Sequence, residues 1–576
     1  MNVSPAAIWP KSPSAGGLGR LPRCSSLGFW RGPHRGDGRT HGEPQEIARL
    51  LGEVGSTIFF VDRDGQIAAT TDGEARIASL PDAAVPDPLA GDPGLEEFPL
   101  SAVVPPLSLD RLGDRTFLVD HQLRAAYMAG SMANGIASCE LVEAIAREGL
   151  LASFGAAGLT VSEVSRAIDR LESLGDRTYA FNLIHSPNEP AHEAAVVDLY
   201  LRRGVRLVEA SAYLDLTLPV VRYRVAGIHT DAEGRVLAPN RIIAKASRVE
   251  VATRWFSPPP AKLLAELAST GKITEEQSSL ASRIPMAQDL TAEADSGGHT
   301  DNRPAITLLP TLLALRDRLQ QEFAYDVPLR VGAAGGIATP ASAAAAFAMG
   351  AAYIVTGSVN QACVESGSSD LVRKMLAEAQ QADVIMAPAA DMFEMGVKLQ
   401  VLRRGTMFAM RAQRLYELYR THESLEDIPA ADRATLEKTI FRAPLEEIWQ
   451  QTQVFFSERD PAQVARAAAD PKHKMALVFR WYLGLSSVWA NRGEPSRQVD
   501  YQVWCGPAMG ALNEWTKGTP LALPEERHAA VLAWNLLYGA AVATRIAAAR
   551  NQGVALPAAA TQVAPRSMAE LQEHLP

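Results

Sequence analysis

The segment Thr291-Ala-Glu-Ala-Asp-Ser-Gly-Gly-His299-Thr-Asp-Asn-Arg303 joins an extended stretch to a turn that holds acidic residues, a glycine pair and a histidine. Turns of this kind, directly after a strand, carry the chemistry of many α/β proteins. Two glycine-rich turns follow, Val331-Gly-Ala-Ala-Gly-Gly-Ile337 and Val355-Thr-Gly-Ser358. We therefore expect the three turns to lie on one face of one barrel and to hold one cofactor.

Short apolar runs alternate with amphipathic segments on both sides of this stretch. Eight runs are predicted to be strands: Ala125–Ala129, Leu151–Phe154, Tyr179–Ile184, Arg206–Ala210, Arg241–Ala246, Ala287–Ala292, Leu329–Ala334 and Ala352–Val355. A helical pattern follows each run, and two of these helices have clear start signals, the capping box Thr160–Glu163 and the N-cap pair Thr339-Pro340. Eight strand–helix units predict an α/β fold, a (β/α)8 TIM barrel, rather than an open doubly wound sheet.

Composition predicts what flanks the barrel. The first 45 residues are rich in Gly, Pro, Ser and Arg, and we predict that they are disordered. A hairpin signal, Asp-Arg-Asp-Gly65, separates Thr57–Val61 from Gln66–Thr70, and a proline-rich run, Pro81–Pro106, is typical of a linker. Residues 46–120 are therefore predicted to form a small β-containing segment and linker.

The remaining boundaries follow from the strand count. We assign residues 121–387 to the barrel, 388–555 to a helical C-terminal subdomain and 556–576 to a flexible tail. A helical segment, residues 255–285, is inserted between the fifth and sixth units. An insertion beside the mouth of a barrel could serve as a lid over the site.

Composition and charge exclude several classes of protein. A hydrophobic fraction of 47% with 21% charged residues is ordinary for a soluble protein, and a net charge of −9 argues against nucleic acid as a partner. The most apolar stretch, Ala529–Thr544, is shorter than a membrane span and is interpreted as a buried helix. Four scattered cysteines without a C-x-x-C pair indicate reduced thiols. We expect a cytoplasmic protein without a membrane partner.

The last two glycine turns suggest a phosphate site. Gly335 and Gly336 lie between a strand and the helix that starts at Thr339, so backbone N–H groups and the helix dipole would face a ligand. The loops after the seventh and eighth strands form the phosphate site of many barrels, and the eighth loop here contains Gly357-Ser358. The alternative is that these glycines only form tight turns.

His299 ends the sixth predicted strand, where a loop can direct the imidazole into the barrel mouth. Residues of alternating position would share one strand face: Asp289, Thr291, Glu293 and Asp295. A histidine–carboxylate metal site is one alternative, but no second histidine stands beside His299, and His185 or His192 could join it only through the fold. We predict no metal, and expect the acidic residues to orient the loop: Glu293, Asp295 and Asp301.

Two further polar residues lie at strand ends of the predicted barrel. Lys245 ends the fifth strand and Asn182 lies in the third. Either could be a packing or rim residue. A cation and an amide are also the groups that would bind a flavin ring.

Together these residues resemble a known family. Asn182, Gly297-Gly298-His299, Gly335-Gly336 and Gly357-Ser358 are similar to the nitronate monooxygenase superfamily of FMN-binding barrels. More closely, Glu293–Arg303 and Asp500-Tyr-Gln-Val-Trp-Cys-Gly-Pro-Ala-Met509 resemble the PfaD family, trans-acting enoyl reductases of polyunsaturated fatty acid and trans-acyltransferase polyketide synthases. The resemblance covers the chain from about Ile47 to Gly553.

The resemblance implies roles for individual residues. Met128 and Gly130 would lie against the isoalloxazine ring, Asn182 and Lys245 would hydrogen-bond it, and His299 would be the catalytic or substrate-polarising residue. FMN and its phosphate would be held by Gly297, Gly335, Gly336, Gly357 and Ser358. The chain departs from the wider superfamily where Ser358 replaces threonine, where Val355 and Ala292 replace glutamines, and where Thr300-Asp301 follows the histidine.

The implied activity is the reduction of enoyl thioesters. FMN, tightly bound, would pass hydride from NADPH or NADH to an acyl thioester carried on an acyl carrier protein. Two alternatives stay open: a flavin oxidase of the nitronate monooxygenase type, in which His299 is a base, and a non-catalytic docking protein of a megasynthase. A homodimer is compatible with either enzyme.

Overall fold

The computed structural model describes residues 27–33, 41–77, 95–187 and 189–576. These residues form two compact units. The sheet unit contains the described residues up to Pro106 together with Arg545–Gln562, and the barrel unit contains Leu107–Thr544 together with Val563–Pro576.

The sheet unit is built on an antiparallel sheet and one amphipathic helix. Its elements are β1 (Gly28–Pro33), α1 (Pro44–Gly52), β2 (Ile58–Arg63), β3 (Gln66–Thr70), β4 (Glu74–Ile77) and β5 (Leu95–Val104). The strand order is β3-β2-β5-β1-β4. The hairpin predicted around the Asp-Gly turn is confirmed, since β2 pairs with β3 from Phe59 opposite Thr70 to Arg63 opposite Gln66.

Two sequence-based expectations fail in this unit. Strand β1 lies within the first 45 residues, where we predicted disorder; its pairing with β5 and the stacking of Trp30 on Phe98, 6.0 Å between ring centroids, order it. Strand β5 lies in the predicted linker, and Pro99 within it obscured the alternation that buries Leu100, Ala102 and Val104. Residues 1–26, 34–40 and 78–94 of these segments lie outside the described residues.

The barrel unit contains the other strands of the described chain. They are β6 (Tyr127–Ala129), β7 (Leu151–Phe154), β8 (Ala180–Ile184), β9 (Leu207–Ser211), β10 (His229–Thr230), β11 (Val236–Leu237), β12 (Arg241–Ala246), β13 (Asp289–Glu293), β14 (Gly298–His299), β15 (Arg330–Ala334), β16 (Ile354–Thr356), β17 (Val384–Pro388) and β18 (Lys398–Leu402). Eight of them close a parallel barrel in the order β12-β13-β15-β16-β6-β7-β8-β9. The predicted TIM barrel and its eight strands are confirmed.

The helices of the barrel unit follow the strands and then form the C-terminal region. They are α2 (Arg115–His121), α3 (Cys139–Arg147), α4 (Val161–Leu171), α5 (Pro190–Arg203), α6 (Leu218–Val225), α7 (Val249–Phe256), α8 (Ala261–Ser269), α9 (Glu275–Ala281), α10 (Ala305–Phe323), α11 (Pro340–Ala348), α12 (Ser358–Gln361), α13 (Asp370–Ala377), α14 (Phe408–Thr421), α15 (Ala430–Leu436), α16 (Leu445–Arg459), α17 (Pro461–Ala469), α18 (Pro471–Arg492), α19 (Ala508–Thr516), α20 (Ala529–Asn551) and α21 (Met568–Leu571). Both predicted start signals are confirmed, as capping boxes at Thr160 and Thr339.

The residues of helix α20 are divided at Arg545, which is the first residue of the helix that belongs to the sheet unit. The helix is long and apolar enough to cross a membrane, but 78% of its most apolar 18-residue stretch is buried. This burial agrees with the buried helix predicted for Ala529–Thr544.

Short helical turns complete the described chain. The 3-10 turns are Leu109–Arg111, Glu172–Leu174, Pro495–Asp500, Pro520–Ala522, Pro524–Glu526, Ala558–Thr561 and Gln572–His574, and Glu437–Phe441 is a π-helical turn. Three helical segments lie in residues 556–576, which we predicted to be a flexible tail. A capping box at Ser567 and the burial of Ala560 and Leu571 explain why this segment is ordered.

The inserted segment does not lie beside the barrel mouth. Helix α7 starts after the carboxyl end of β12 and runs back along the barrel, so the segment that follows it, with α8 and α9, lies where the next strand begins. Arg224 at the end of α6 donates to the carbonyl oxygen of Pro285 there, at 3.1 Å. The segment is helical as predicted, but the prediction of a lid was wrong.

The C-terminal region combines helices with a small sheet. Strand β18 pairs with β17 on one side and with β14 on the other. Because β14 contains His299, the predicted turn is instead a short strand held against the C-terminal region. Residues 408–492 add a packed helical core that includes Phe408, Leu415, Phe441, Phe479 and Tyr482.

Candidate active site

Polar side chains from five consecutive barrel strands surround the barrel mouth. This mouth ring consists of Ser153, Asn182, Glu209, Lys245 and Glu293. Four of its members come two residues after an apolar residue of the barrel core: Leu151, Ala180, Leu207 and Ile243. Because strand side chains alternate, the ring shares the inner face with that core and lies one layer closer to the carboxyl ends.

Lys245 is held at the mouth by charge. Its Nζ lies 2.8 Å from Oε1 of Glu293. Burial alone would lower the pKa of Lys245, but the charges of Glu293 and Glu209 outweigh it, and the pKa is raised above its ordinary value. Lys245 therefore stays cationic and can face an anionic or electron-rich ligand group.

Asn182 is fixed by the strand next to it. Its Nδ2 donates to the backbone oxygen of Glu209, at 3.1 Å, and to Oγ of Ser211, at 2.9 Å. With both amide protons used, only the side-chain oxygen of Asn182 remains to accept a hydrogen bond. Asn182 lies in the third barrel strand, as predicted, and its contact with a flavin ring stays a prediction.

Glu209 is a ring member that sequence reasoning missed. It is fully buried, and its Oε2 accepts a hydrogen bond from the backbone N–H of Ser131 at 2.7 Å. Its Oε1 has no hydrogen-bond partner among the described residues. A Cβ placed on Gly130 would lie 3.5 Å from this oxygen and 2.9 Å from Cγ1 of Val355. The one available signal was an acid inside the otherwise apolar strand Leu207–Ala210.

The two glycine turns follow adjacent strands, β15 and β16, and leave open space. Gly335 and Gly336 have φ angles of 86° and 76°, which favour glycine. A Cβ on Gly336 or Gly357 would meet no described atom within 4 Å. The helix start at Thr339 contributes less than expected, because the capping box uses the N–H groups of Ala338, Thr339 and Ser342.

His299 lies at the mouth with a carboxylate partner. Its Nε2 is 3.1 Å from Oδ1 of Asp391, and the imidazole is 36% exposed. Burial would lower the pKa of His299, but the charge and hydrogen bond of Asp391 outweigh it, so the pKa is raised. Asp391 lies in the segment between β17 and β18 and could not be paired with His299 from sequence.

Of the three acidic residues expected to orient the loop, Asp295 and Asp301 hold it, whereas Glu293 pairs with Lys245 in the mouth ring. Oδ1 of Asp295 accepts from Nδ2 of Asn302, at 2.9 Å, and from Nε2 of Gln400, at 2.8 Å. Asp301 accepts from Oγ of Ser247 at 2.6 Å and from Nε of Arg248 at 2.8 Å. Both carboxylates are therefore engaged by side chains of the same loop and of neighbouring segments.

The motif Asp500–Met509 packs against both the histidine loop and the last glycine turn. A Cβ on Gly297 would lie 2.9 Å from the backbone of Cys505, so the two chain segments pack closely at a position where a side chain would not fit. Gly506 donates its N–H to Oγ of Ser358 at 3.1 Å. The motif therefore braces two loops of the site, a role that its sequence did not indicate.

Some predicted residues lie elsewhere. Met128 is fully buried in the barrel core rather than at the rim. Asp289 lies at the opposite end of the barrel, bound to Arg330, and His185 contacts Glu193 on α5, 3.3 Å from Nδ1 to Oε2. No group of three or more His, Cys, Asp or Glu in the described chain is placed to hold a metal ion.

Comparisons with known proteins identify the family and the fold. The family model for nitronate monooxygenase matches residues 116–416, and the model for the inserted helical domain of [acyl-carrier-protein] S-malonyltransferase matches residues 422–501. The solved enoyl reductase domain of MlnA, from the macrolactin biosynthesis cluster of Bacillus amyloliquefaciens, superposes with a TM-score of 0.72 at 38% identity, covering 77% of this chain and 99% of that one.

Curated relatives are longer proteins. A polyunsaturated fatty acid synthase protein of Thraustochytrium sp. is 50% identical over 460 residues, 78% of this chain and 31% of that protein. The polyketide biosynthesis protein PksE of Bacillus subtilis is 43% identical over 424 residues, 73% of this chain and 55% of that protein. The chain thus spans about a third to just over half of these two relatives.

Proposed function

The chain belongs to the nitronate monooxygenase family and, within it, to the PfaD family, and from this premise we propose that it is an FMN-dependent, trans-acting enoyl reductase. Its substrate would be an α,β-unsaturated thioester on an acyl carrier protein, and NADPH or NADH would supply the hydride. The setting would be cytoplasmic synthesis of a polyketide or polyunsaturated fatty acid, in keeping with the names of its relatives.

The observation that carries this proposal is the fit between the mouth and FMN. The open turns at Gly336 and Gly357 leave room for a phosphate beside backbone N–H groups. Across the mouth, buried Glu209 has an oxygen without a partner among the described residues, and Lys245 presents a cation. A planar ring with polar edges would satisfy both groups.

The residues that would hold FMN are then those of the two turns and the ring. Gly297, Gly335, Gly336, Gly357 and Ser358 would hold FMN and its phosphate, while Gly130, Asn182 and Lys245 would bind its ring. Met128 would support the ring only from within the barrel core. When bound, FMN supplies the hydride transfer from NAD(P)H to the β-carbon of the enoyl thioester.

The protein's own residues supply the proton and the electrostatics. His299, whose pKa Asp391 raises, would donate a proton to the α-carbon, or a hydrogen bond to the thioester oxygen as negative charge develops there. One hydride and one proton convert the double bond to a single bond. The helical region at residues 422–501 would serve the carrier-protein partner, because its matching family model comes from an enzyme that acts on such carriers.

Spectroscopy of the purified protein tests the proposal. We expect a yellow flavin chromophore that bleaches with NADPH under anaerobic conditions and recovers on addition of an enoyl thioester. A colourless protein that cannot be reconstituted with FMN would end the proposal. Oxygen uptake with alkyl nitronates, without turnover of enoyl thioesters, would instead favour a nitronate-oxidising flavoenzyme.

Asp391→Asn should change the pH dependence of the reaction. The carboxylate raises the pKa of His299, so its loss should let the imidazolium deprotonate at lower pH. We expect the alkaline limb of the kcat/KM profile to move to lower pH. The matched control is Glu394→Gln, which removes a carboxylate from the same segment that pairs with Arg480 instead. Superimposable profiles for wild type and Asp391→Asn would contradict the assignment.

A further inference from the structure

We propose that Glu209 recognises the imide N3–H of the flavin ring and thereby selects the cofactor. The inference rests on the proposed function and assigns a ligand-binding role to a residue that lies outside every sequence motif. The buried atom concerned is Oε1 of Glu209, which requires a hydrogen-bond donor.

Glu209 is anchored within the mouth ring by two hydrogen bonds. It projects from β9 toward the loop after β6, where the N–H of Ser131 binds its Oε2 at 2.7 Å. Asn182 is anchored to the backbone oxygen of the same residue. The side chain is fully buried, so bulk water cannot satisfy the remaining oxygen.

A buried carboxylate oxygen without a partner is unfavourable, and it can only accept a hydrogen bond. The other ring groups differ from Glu209 in charge or in pairing, and the side-chain oxygen of Asn182 accepts but is neutral. Lys245 can only donate, and Glu293 is already paired with it. Ser153, whose hydroxyl also lacks a partner in the described chain, can donate or accept.

The polar edge of a flavin complements this arrangement. The edge carries several acceptors, at N1, O2, O4 and N5, but a single donor, N3–H. A cationic lysine suits the acceptors, whereas the donor requires an acceptor that no other group already uses. Oδ1 of Asn182 and Oγ of Ser153 can also accept, but Glu209 Oε1 is the charged acceptor of the ring that lacks a partner among the described residues.

The substitution Glu209→Gln tests the assignment with little change in volume. The amide oxygen can replace Oε2 as acceptor for Ser131, which turns the NH2 group toward the ligand. The amide NH2 group would then face the N3–H of the flavin, and because both groups donate, no hydrogen bond could form between them. We expect the Kd for FMN, measured by fluorescence quenching with apoprotein, to rise about tenfold to a hundredfold.

A modified cofactor isolates the contact. FMN methylated at N3 cannot donate, so wild-type protein should bind it at least about tenfold more weakly than FMN. In Glu209→Gln this discrimination should vanish. The matched control, Glu276→Gln, removes an exposed glutamate of α9 and should bind both flavins as wild type does.

The outcomes separate the two proposals. If wild-type protein binds no FMN, the proposed function fails. If it binds FMN and the methylated analogue equally well, the role of Glu209 is overturned while the proposed function stands. The wild-type comparison alone decides this even if Glu209→Gln fails to fold, which circular dichroism of the apoprotein would reveal.

Discussion

Replacement of His299 by alanine is expected to lower kcat for enoyl thioester reduction by at least about 100-fold, the usual contribution of a positioned general acid. The imidazole lies at the mouth, its Nε2 bound to Asp391, and no other histidine lies on this loop. Loss of the proton donor or of the hydrogen bond to the thioester oxygen should slow the step that consumes substrate. Stopped-flow absorbance would measure it.

The same experiment separates chemistry from binding. His299→Ala should still bind FMN, and NADPH should still bleach the flavin, because neither event requires a proton from His299. The control His229→Ala removes an exposed histidine of the hairpin β10–β11 and should react at the wild-type rate. Full activity of His299→Ala in the assembled synthase would indicate a non-catalytic docking protein.

The fold could be predicted because its signals are local. Apolar runs followed by helical patterns recur eight times, two of the helices carry clear start signals, and each unit is recognisable from its own residues. The prediction of a lid was wrong because the local pattern did not identify α7 as a helix that returns along the barrel. The insertion follows helix α7, and a helix that returns along the barrel carries the chain to the other end. If α7 is recognised as a separate helix that precedes the insertion, the insertion is expected at that other end.

The site could be predicted only in part, because its missing members come from distant parts of the chain. His299, Lys245 and the glycine turns follow strands and carry a local signal. Asp391 reaches His299 across 92 positions, and Gly506 reaches Ser358 across 148. Contacts of this kind depend on how the C-terminal region packs on the barrel. They explain why the motif Asp500–Met509 could be noticed but not interpreted.

A buried network of charged side chains stabilises the barrel at the end opposite His299. Oδ1 of Asp289 lies 2.6 Å from Nε of Arg330, and Oδ2 lies 2.8 Å from Nε2 of His121. All three side chains are buried. Burial alone would raise the pKa of Asp289, but Arg330 and His121 outweigh it and lower the pKa to about 2. The stabilisation by this carboxylate should be complete above about pH 4, its ordinary pKa, and be lost as the pH falls toward 2.

Asp289→Ala should therefore destabilise the barrel by about 3–5 kcal/mol, because it leaves Arg330 buried with Asp120 as its remaining carboxylate. Urea unfolding at neutral pH measures the loss, and the difference from wild type should shrink at acid pH. The control Asp317→Ala removes a 63% exposed carboxylate paired with Arg316 and should cost less than about 1 kcal/mol. The double substitution Asp289→Leu with Arg330→Met removes both charges and should recover much of the loss. Equal losses in Asp289→Ala and Asp317→Ala would show that the buried network contributes no more than a surface pair.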